Sequence, residues 1–247
     1  MKPRVALLNG HFDPLTFDET VDAVFAALRE GKRGWVCTVN VATLMTMRKN
    51  PALQAFADRA LLVVADGQPL VWSAPLFGGR LPERVAGIDL VDALCARAIA
   101  EGVGVYCLGA TPELNARAVA TLQRRHPGVE ISGSDGYFDA DSARARAEAI
   151  RASGSGILFV GMGSPRQEEF IAEQWQHLGV GVAIGVGGSF DVLAGARYRA
   201  HPWVGNAGLE WLVRLAQEPR RLLPRYLATN TVFCLLLVNV IMARLLR

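Results

Sequence analysis

The chain has few cysteines, and none of them is arranged for chemistry. Cys37, Cys95, Cys107 and Cys234 are widely spaced over 247 residues and form no Cys-x-x-Cys pair, which removes a zinc knuckle or a dithiol redox centre of that spacing. All four lie inside apolar segments and are expected to be reduced core residues. The glycine fingerprint of a dinucleotide site is missing as well, because Arg166 and Phe190 stand where the last glycine of Gly-x-Gly-x-x-Gly belongs. The opening Met-Lys-Pro-Arg with Val-Ala-Leu-Leu-Asn-Gly has too short an apolar region for a signal peptide, so a cytosolic location is expected. From Arg197 to Arg247 there is no Lys at all.

That last absence matters because the same stretch is strongly basic. Eight Arg against Glu210 and Glu218 give it a net +6, and since the whole chain is +3, residues 1–196 carry −3. A mildly acidic body with a basic tail points to a partner bearing phosphates, either an anionic membrane surface or nucleic acid. At 247 residues with 51% apolar residues, the chain is long enough to bury a substantial core.

Short apolar runs alternate with helical patterns from residue 4 to about 195. Strands are expected at Arg4 to Asn9, Gly34 to Val39, Leu61 to Ala65, Val103 to Gly109, Val129 to Ser132, Gly156 to Val160 and Gly181 to Val186. Helices are signalled between them by the capping box Thr16-Phe-Asp-Glu19, by Asn50-Pro51 and by Thr111-Pro112. Residues Gln68 to Phe77 read as helical, and an amphipathic helix starts at Ile88-Asp89. The pattern implies an α/β, Rossmann-like fold with a mainly parallel sheet covered by helices. Residues 1–196 form the α/β domain in this reading, and 197–247 a helical, Arg-rich appendage.

Polar residues gather where the apolar runs stop. Asp66 follows Leu-Leu-Val-Val-Ala and precedes Gly67, so it stands at a sheet rim, where α/β proteins bind ligands; alternatively it caps the next helix. Thr38 and Asn40 end a second strand and share a face if that strand reaches Asn40. The loop from Gly78 to Gly87 carries Arg80 and Arg84, as a solvated turn or an anion contact. Ser164-Pro165-Arg166-Gln167 reads as a capping box, yet Arg166 puts a cation in the first turn, where the dipole disfavours it. A phosphate bound there resolves the conflict. Asp139-Ala-Asp141 has the form of a metal-holding Asp-x-Asp, but Asp141 as a helix cap already explains it, and no metal is expected.

The tail contains a polar, aromatic loop from Arg197 to Trp203, a helix from Gly208 stopped at Glu218-Pro219, and a basic cluster at Arg220, Arg221 and Arg225. Residues 226–243 carry no charge, which is close to the minimum for a bilayer span. Thr229, Asn230, Thr231 and Asn239 favour a helix lying in the membrane interface over one that crosses it; packing into the protein's own core is the remaining alternative.

These pieces together resemble the WecG/TagA/CpsF family of bacterial glycosyltransferases. The matching residues are Thr38-x-Asn40, Ala65-Asp66-Gly67-x-Pro69, Arg84-Val-x-Gly87-x-Asp89, Gly161-x-Gly163-x-Pro165-x-Gln167-Glu168, Gly187-Gly188-x-Phe190-Asp191 and Glu210-Trp211-Leu-x-Arg214 with Glu218-Pro219. They run in family order over nearly the whole chain. The resemblance implies an inverting transferase working on teichoic-acid linkage units, exopolysaccharides or related cell-surface polymers. Its donor would be a UDP-sugar carrying N-acetylmannosamine, its uronic acid, or a hexose such as glucose. The acceptor would be a polyprenyl-diphosphate-linked saccharide, met as a peripheral protein at the cytoplasmic face of the plasma membrane. It implies Asp66 as the general base and no cofactor. Thr38, Asn40, Arg84, Gln167, Arg166 and Gly163 would line the pocket, with Arg214, Arg221 and Arg225 added by the appendage. Ser189 and the longer apolar end after Tyr226 depart from the family pattern. Another nucleotide-dependent α/β enzyme, a reductase or methyltransferase, and a non-catalytic membrane-binding module are the competing readings.

Overall fold

The computed structural model describes residues 2–201, 204–205 and 207–246; Pro202 and Trp203 of the aromatic loop lie outside them. Its centre is a six-stranded sheet, parallel throughout, built from β3 (Gly34–Val39), β4 (Leu62–Ala65), β5 (Val105–Gly109), β6 (Ile131–Ser134), β7 (Ile157–Gly161) and β8 (Val182–Gly185) in the spatial order β4-β3-β8-β7-β5-β6. Strands β3, β4, β5 and β8 are buried along almost their whole length, as expected when helices cover both faces of a parallel sheet.

Each face has its own core. Phe25, Phe159, Leu90, Leu94 and Ile184 belong to one, and Trp35, Leu44, Phe56, Leu108 and Val160 to the other. Trp35 stacks on Phe56 with ring centroids 4.7 Å apart and meets Trp175 edge-on at 5.2 Å, so aromatic area anchors the second face.

The first expected strand does not join this sheet. Val5–Leu7 (β1) pairs antiparallel with Gly10–Phe12 (β2), and Leu8 sits in the left-handed region at φ 54° in the two-residue turn between them. Leu8 and Asn9 form the turn, and the positive φ at its first residue reverses the chain where the apolar run alone suggested a sheet strand. The hairpin is fastened to the sheet by the buried Asp13, which pairs with Arg4 at 3.2 Å and accepts from the Val63 N–H at 2.7 Å.

Helix α1 (Phe17–Arg29) has the expected capping box of Thr16 and Glu19. Helices α2 (Val41–Met47) and α3 (Pro51–Asp58) are capped by Asn40 and Asn50. Then come α4 (Gln68–Ser73), which runs on as a 3₁₀ turn over Ala74–Phe77, α5 (Gly87–Glu101) and α6 (Pro112–Arg125). Helix α7 (Ala143–Ala152) departs from expectation at its start: Asp141 does not cap it, and Asp139 instead accepts from the Ser142 N–H at 2.8 Å. Helices α8 (Arg166–Leu178) and α9 (Ser189–Leu193) complete the body.

The tail forms α10 (Glu210–Gln217) and α11 (Pro219–Leu245). Helix α11 is long and apolar enough to cross a membrane, with a mean hydropathy of 1.9 in its most apolar window. It is nonetheless two-sided. Leu222 and Phe233 are buried, and Val232, Leu236 and Leu237 pack against the Trp35 core beside α2. Leu227, Leu235, Val238 and Met242 face outward. Cys234 shares that outer side and is exposed, unlike the three buried cysteines, because the stripe that docks recurs every three to four residues and leaves position 234 off it.

Replacing Phe159, fully buried in β7, by Ala leaves a cavity under α5 and α9. The expected loss is about 3–5 kcal/mol of unfolding free energy, read from urea denaturation.

Candidate active site

Parallel strands deliver their carboxyl ends to one edge, and the polar residues of interest start there. Asp66 follows β4 directly; its N–H bonds Val39 O at 2.8 Å, continuing the β3–β4 ladder by one residue. It does not cap α4, whose cap position is Gly67 with no side-chain hydrogen bond. The carboxylate is thus left for something else. It is met by the Gly87 N–H at the start of α5, where the helix dipole favours a negative charge.

Burial pushes the Asp66 carboxyl up to about 6. Arg214 opposes the shift, the Glu210 carboxylate adds to it, and Arg84 and the Gly87 N–H oppose it. Arg84 reaches this place from the loop after the 3₁₀ turn, held because Val85 N–H bonds Ala65 O at 2.9 Å. Its guanidinium pairs with Glu210 of α10, whose other oxygen accepts from Arg214 at 3.0 Å. Two carboxylates therefore share one site with opposite shifts. Burial works against ionising Glu210, yet Arg214 and Arg84 hold it below its usual range.

The rim continues from Asp66 towards the middle of the sheet. Asn40 lies against Gly67, and its Oδ1 caps α2 by accepting from the Thr43 N–H at 3.0 Å, which leaves the side-chain amide nitrogen for a ligand. The β3 strand stops at Val39, so Thr38 and Asn40 are not the paired strand face expected. Thr38 donates to Gly185 O at 2.8 Å and sits against Gly87. A Cβ on Gly185 would lie 2.5 Å from Gln167 Nε2, so only glycine lets that amide reach the rim.

The capping box expected at Ser164 and Gln167 does not form. Pro165 occupies the cap position of α8 without a side-chain bond, the Ser164–Pro165 peptide being cis. Gln167 turns inward instead: its Oε1 accepts from the Gly187 N–H at 3.0 Å, and its Nε2 donates to the buried Glu168 at 2.8 Å. Burial raises the Glu168 carboxyl, with Gln167, Ser164 and Arg225 among the groups opposing it.

Four residues stand apart from this arc. Arg166 donates to Phe138 O at 2.9 Å with its guanidinium 5.5 Å from the Phe138 ring centre, beside an open concavity of about 490 Å³ lined by Tyr137, Phe138, Asp139 and Arg146. The ring and carbonyl of Phe138 thus supply the partner that its first-turn charge called for. Gly163, at φ 78°, borders open space at the same end of the sheet. Arg221 pairs with Glu218, which also holds Arg197. Arg225 faces Glu168 and Tyr226. Much of the tail's positive charge is spent on such pairs, since Arg197 also meets Asp191 at 3.0 Å and Arg199 meets Asp89.

Glu210 and the first N–H of α5 are the participants that reading the sequence did not single out. Both fall inside motifs that were noted, but a charge count treats Glu210 only as a subtraction from the basic tail. In comparison with known proteins, the model of the glycosyl transferase WecG/TagA/CpsF family matches residues 5–246.

A carboxyl titrating near 6 when folded and near 3.8 when unfolded costs stability at neutral pH, because the native state binds its proton more tightly. Asp66→Asn is therefore expected to stabilise the fold at pH 7.5 by about 1–3 kcal/mol. The gain should shrink as pH falls through about 6 and vanish below about 4, as measured by urea denaturation across that range.

Proposed function

The chain belongs to the WecG/TagA/CpsF glycosyltransferase family, and on that premise we propose that it moves a sugar from a UDP-sugar to a polyprenyl-diphosphate-linked saccharide with inversion at the anomeric carbon. The observation that carries this reading is the Asp66 carboxyl, raised to about 6 at the rim of the sheet with Arg84 and Arg214 beside it. Such a group is ionised at neutral pH and still basic enough to accept a proton. In the proposed step the acceptor hydroxyl oxygen forms a bond to the anomeric carbon, and its proton passes to Asp66. The bond from that carbon to the diphosphate oxygen breaks, and its electron pair leaves with UDP.

Arg84, Arg214, Arg221 and Arg225 are assigned to the charge that grows on the departing diphosphate, since a guanidinium grips phosphate oxygens in a fork. Preorganised cations of this kind act in the transition state more than in the ground state, and the reading needs no metal or other cofactor. Thr38, Asn40 and Gln167 are assigned to the sugar and its phosphates. Arg166 and Gly163, at the β6–β7 end of the rim, are assigned to the far end of the donor. The donor sugar is N-acetylmannosamine, its uronic acid or a hexose.

The outward face of α11 supports a place at the cytoplasmic surface of the plasma membrane. Phe233, Leu236 and Leu237 in the middle of the apolar stretch are packed on the body, so a docked α11 lies along a bilayer and does not cross it. Anionic lipid, not nucleic acid, is the partner that suits a basic helix whose free face is Leu227, Leu235 and Val238.

Purified protein is expected to release UDP from one of a panel of UDP-sugars only when a polyprenyl-diphosphate-linked acceptor is added. Asp66→Asn should lower that rate about 10²–10⁴-fold with the fold intact. In the wild type, kcat/KM should rise with pH through about 6 and level off above it, as Asp66 loses its proton. Near-wild-type turnover by Asp66→Asn removes Asp66 as the base. Flotation with anionic vesicles tests the tail: binding should weaken with salt and be lost in Leu227→Glu/Leu235→Glu, whose changes fall on the exposed face.

A further inference from the structure

Two guanidinium groups stand near Asp66, and neither is hydrogen-bonded to it. Arg84 and Arg214 each bond one oxygen of Glu210 instead, Arg84 from the body and Arg214 from the same helix as Glu210, one turn on. The bland account makes Glu210 an acidic residue in the first turn of α10 with an ordinary i,i+4 partner. That account leaves out Arg84, which lies 126 positions earlier in the chain and crosses from the body to reach the same carboxylate. It also leaves out burial, because the Arg84 and Glu210 side chains are only 16% and 21% exposed. A tie between body and tail is not otherwise lacking: Arg197 holds Asp191 and Arg199 holds Asp89, while Arg197 and Tyr198 are in turn bonded to Glu218 and Gln217 at the end of α10. Docking of α10 therefore does not need this carboxylate at this spot.

Its position next to the proposed base gives it another task. We propose that Glu210 is a positioning residue: by occupying both Arg84 and Arg214 it keeps these guanidinium groups from closing on Asp66, so that the Asp66 carboxylate stays open to take a proton from the acceptor. The inference rests on the glycosyltransferase reading for its purpose and on the geometry for its content. A carboxylate that accepts from two guanidinium groups is held ionised and is a poor base. Glu210 accepts one such bond from each of Arg84 and Arg214 in place of Asp66. The two acids divide the work, one tied up and ionised, the other unpaired and near its titration point.

Among the described residues, the following charged and titratable groups act on the cluster. Asp66 is faced by Arg214, Glu210 and Arg84, with the Gly87 N–H as the neutral donor. Around Glu210 stand Arg214, Arg84 and Arg199, and Tyr226 of α11 feels its charge. Arg84 in turn senses Asp66, Glu210 and Asp89, the last of which is paired with Arg199. Removing the Glu210 charge leaves Asp66 as an acid on which both cations act.

The test reads the Asp66 carboxyl directly, by ¹³C NMR of protein labelled at aspartate, with the signal assigned by its loss in Asp66→Asn. In the wild type it should titrate at about 6. In Glu210→Gln, which keeps the side-chain shape, the midpoint should fall by about 1 to 3 pH units, the shift that an opposite charge at contact imposes on a carboxyl. Glu210→Asp keeps the charge but draws it back by one methylene, and its midpoint should lie between the two. Glu218→Gln, which loosens the tail at its other double ion pair, should leave the midpoint in place. An unchanged or higher midpoint in Glu210→Gln overturns the proposal, as does an equal fall in Glu218→Gln. Because the readout needs no turnover, absence of sugar transfer in the wild type would count against the proposed function alone. Where transfer is measured, the acidic limb of kcat/KM for Glu210→Gln should move down with the NMR midpoint while the plateau rate drops.

Discussion

Strands that run parallel must all stop on the same side of their sheet, and everything chemical in this protein follows from that. Asp66, Thr38 and Asn40 are far apart in the chain from Gln167 and Gly187, yet all gather at the carboxyl ends of β4, β3, β8 and β7. Backbone groups at that edge run out of ladder partners, and side chains and helix starts take over. Asn40 caps α2, Thr38 bonds the end of β8, and the start of α5 faces Asp66. The site is thus a by-product of how a parallel sheet satisfies its own ends.

The edge alone does not make a transfer site, because body residues supply only one of the guanidinium groups near Asp66. The second arrives with α10, and so does the carboxylate that binds both. Gathering four charged groups, Arg84 and Glu210 largely shielded from solvent and Arg214 exposed, is costly unless they are matched. Here two cations and two anions occupy one spot, and the distribution is uneven: Glu210 is held below its usual range and Asp66 is lifted above its own. The energetic cost of assembling the cluster falls on the residue that is best used unpaired.

The sheet was legible because each buried strand is an apolar run of four to six residues bounded by glycine or a cap, and Asp66 was legible because it interrupts such a run. Local signals failed where a distant partner outbid a near one. Ser164 and Gln167 have capping-box spacing, but Gly187 and Glu168 offer Gln167 better bonds. Arg166, whose first-turn charge the sequence left without a protein partner, meets the Phe138 ring and carbonyl from 28 positions away. Glu210 was visible as a charge in a basic tail and as the start of a motif, but no spacing rule connects it to Arg84 across 126 positions. Composition likewise could not say that α11 has a docked side and a free side, for that depends on where the Trp35 core leaves an opening.

The packing of α11 on α2 links two ends of the molecule that share no residues. Helix α2 begins at Asn40, so the surface on which Phe233 rests is the same short helix that fixes one corner of the rim. With seven residues capped at Asn40, α2 is one short helix between the rim and the C-terminal helix. The two therefore have a neighbour in common although they lie nearly 200 positions apart in the chain.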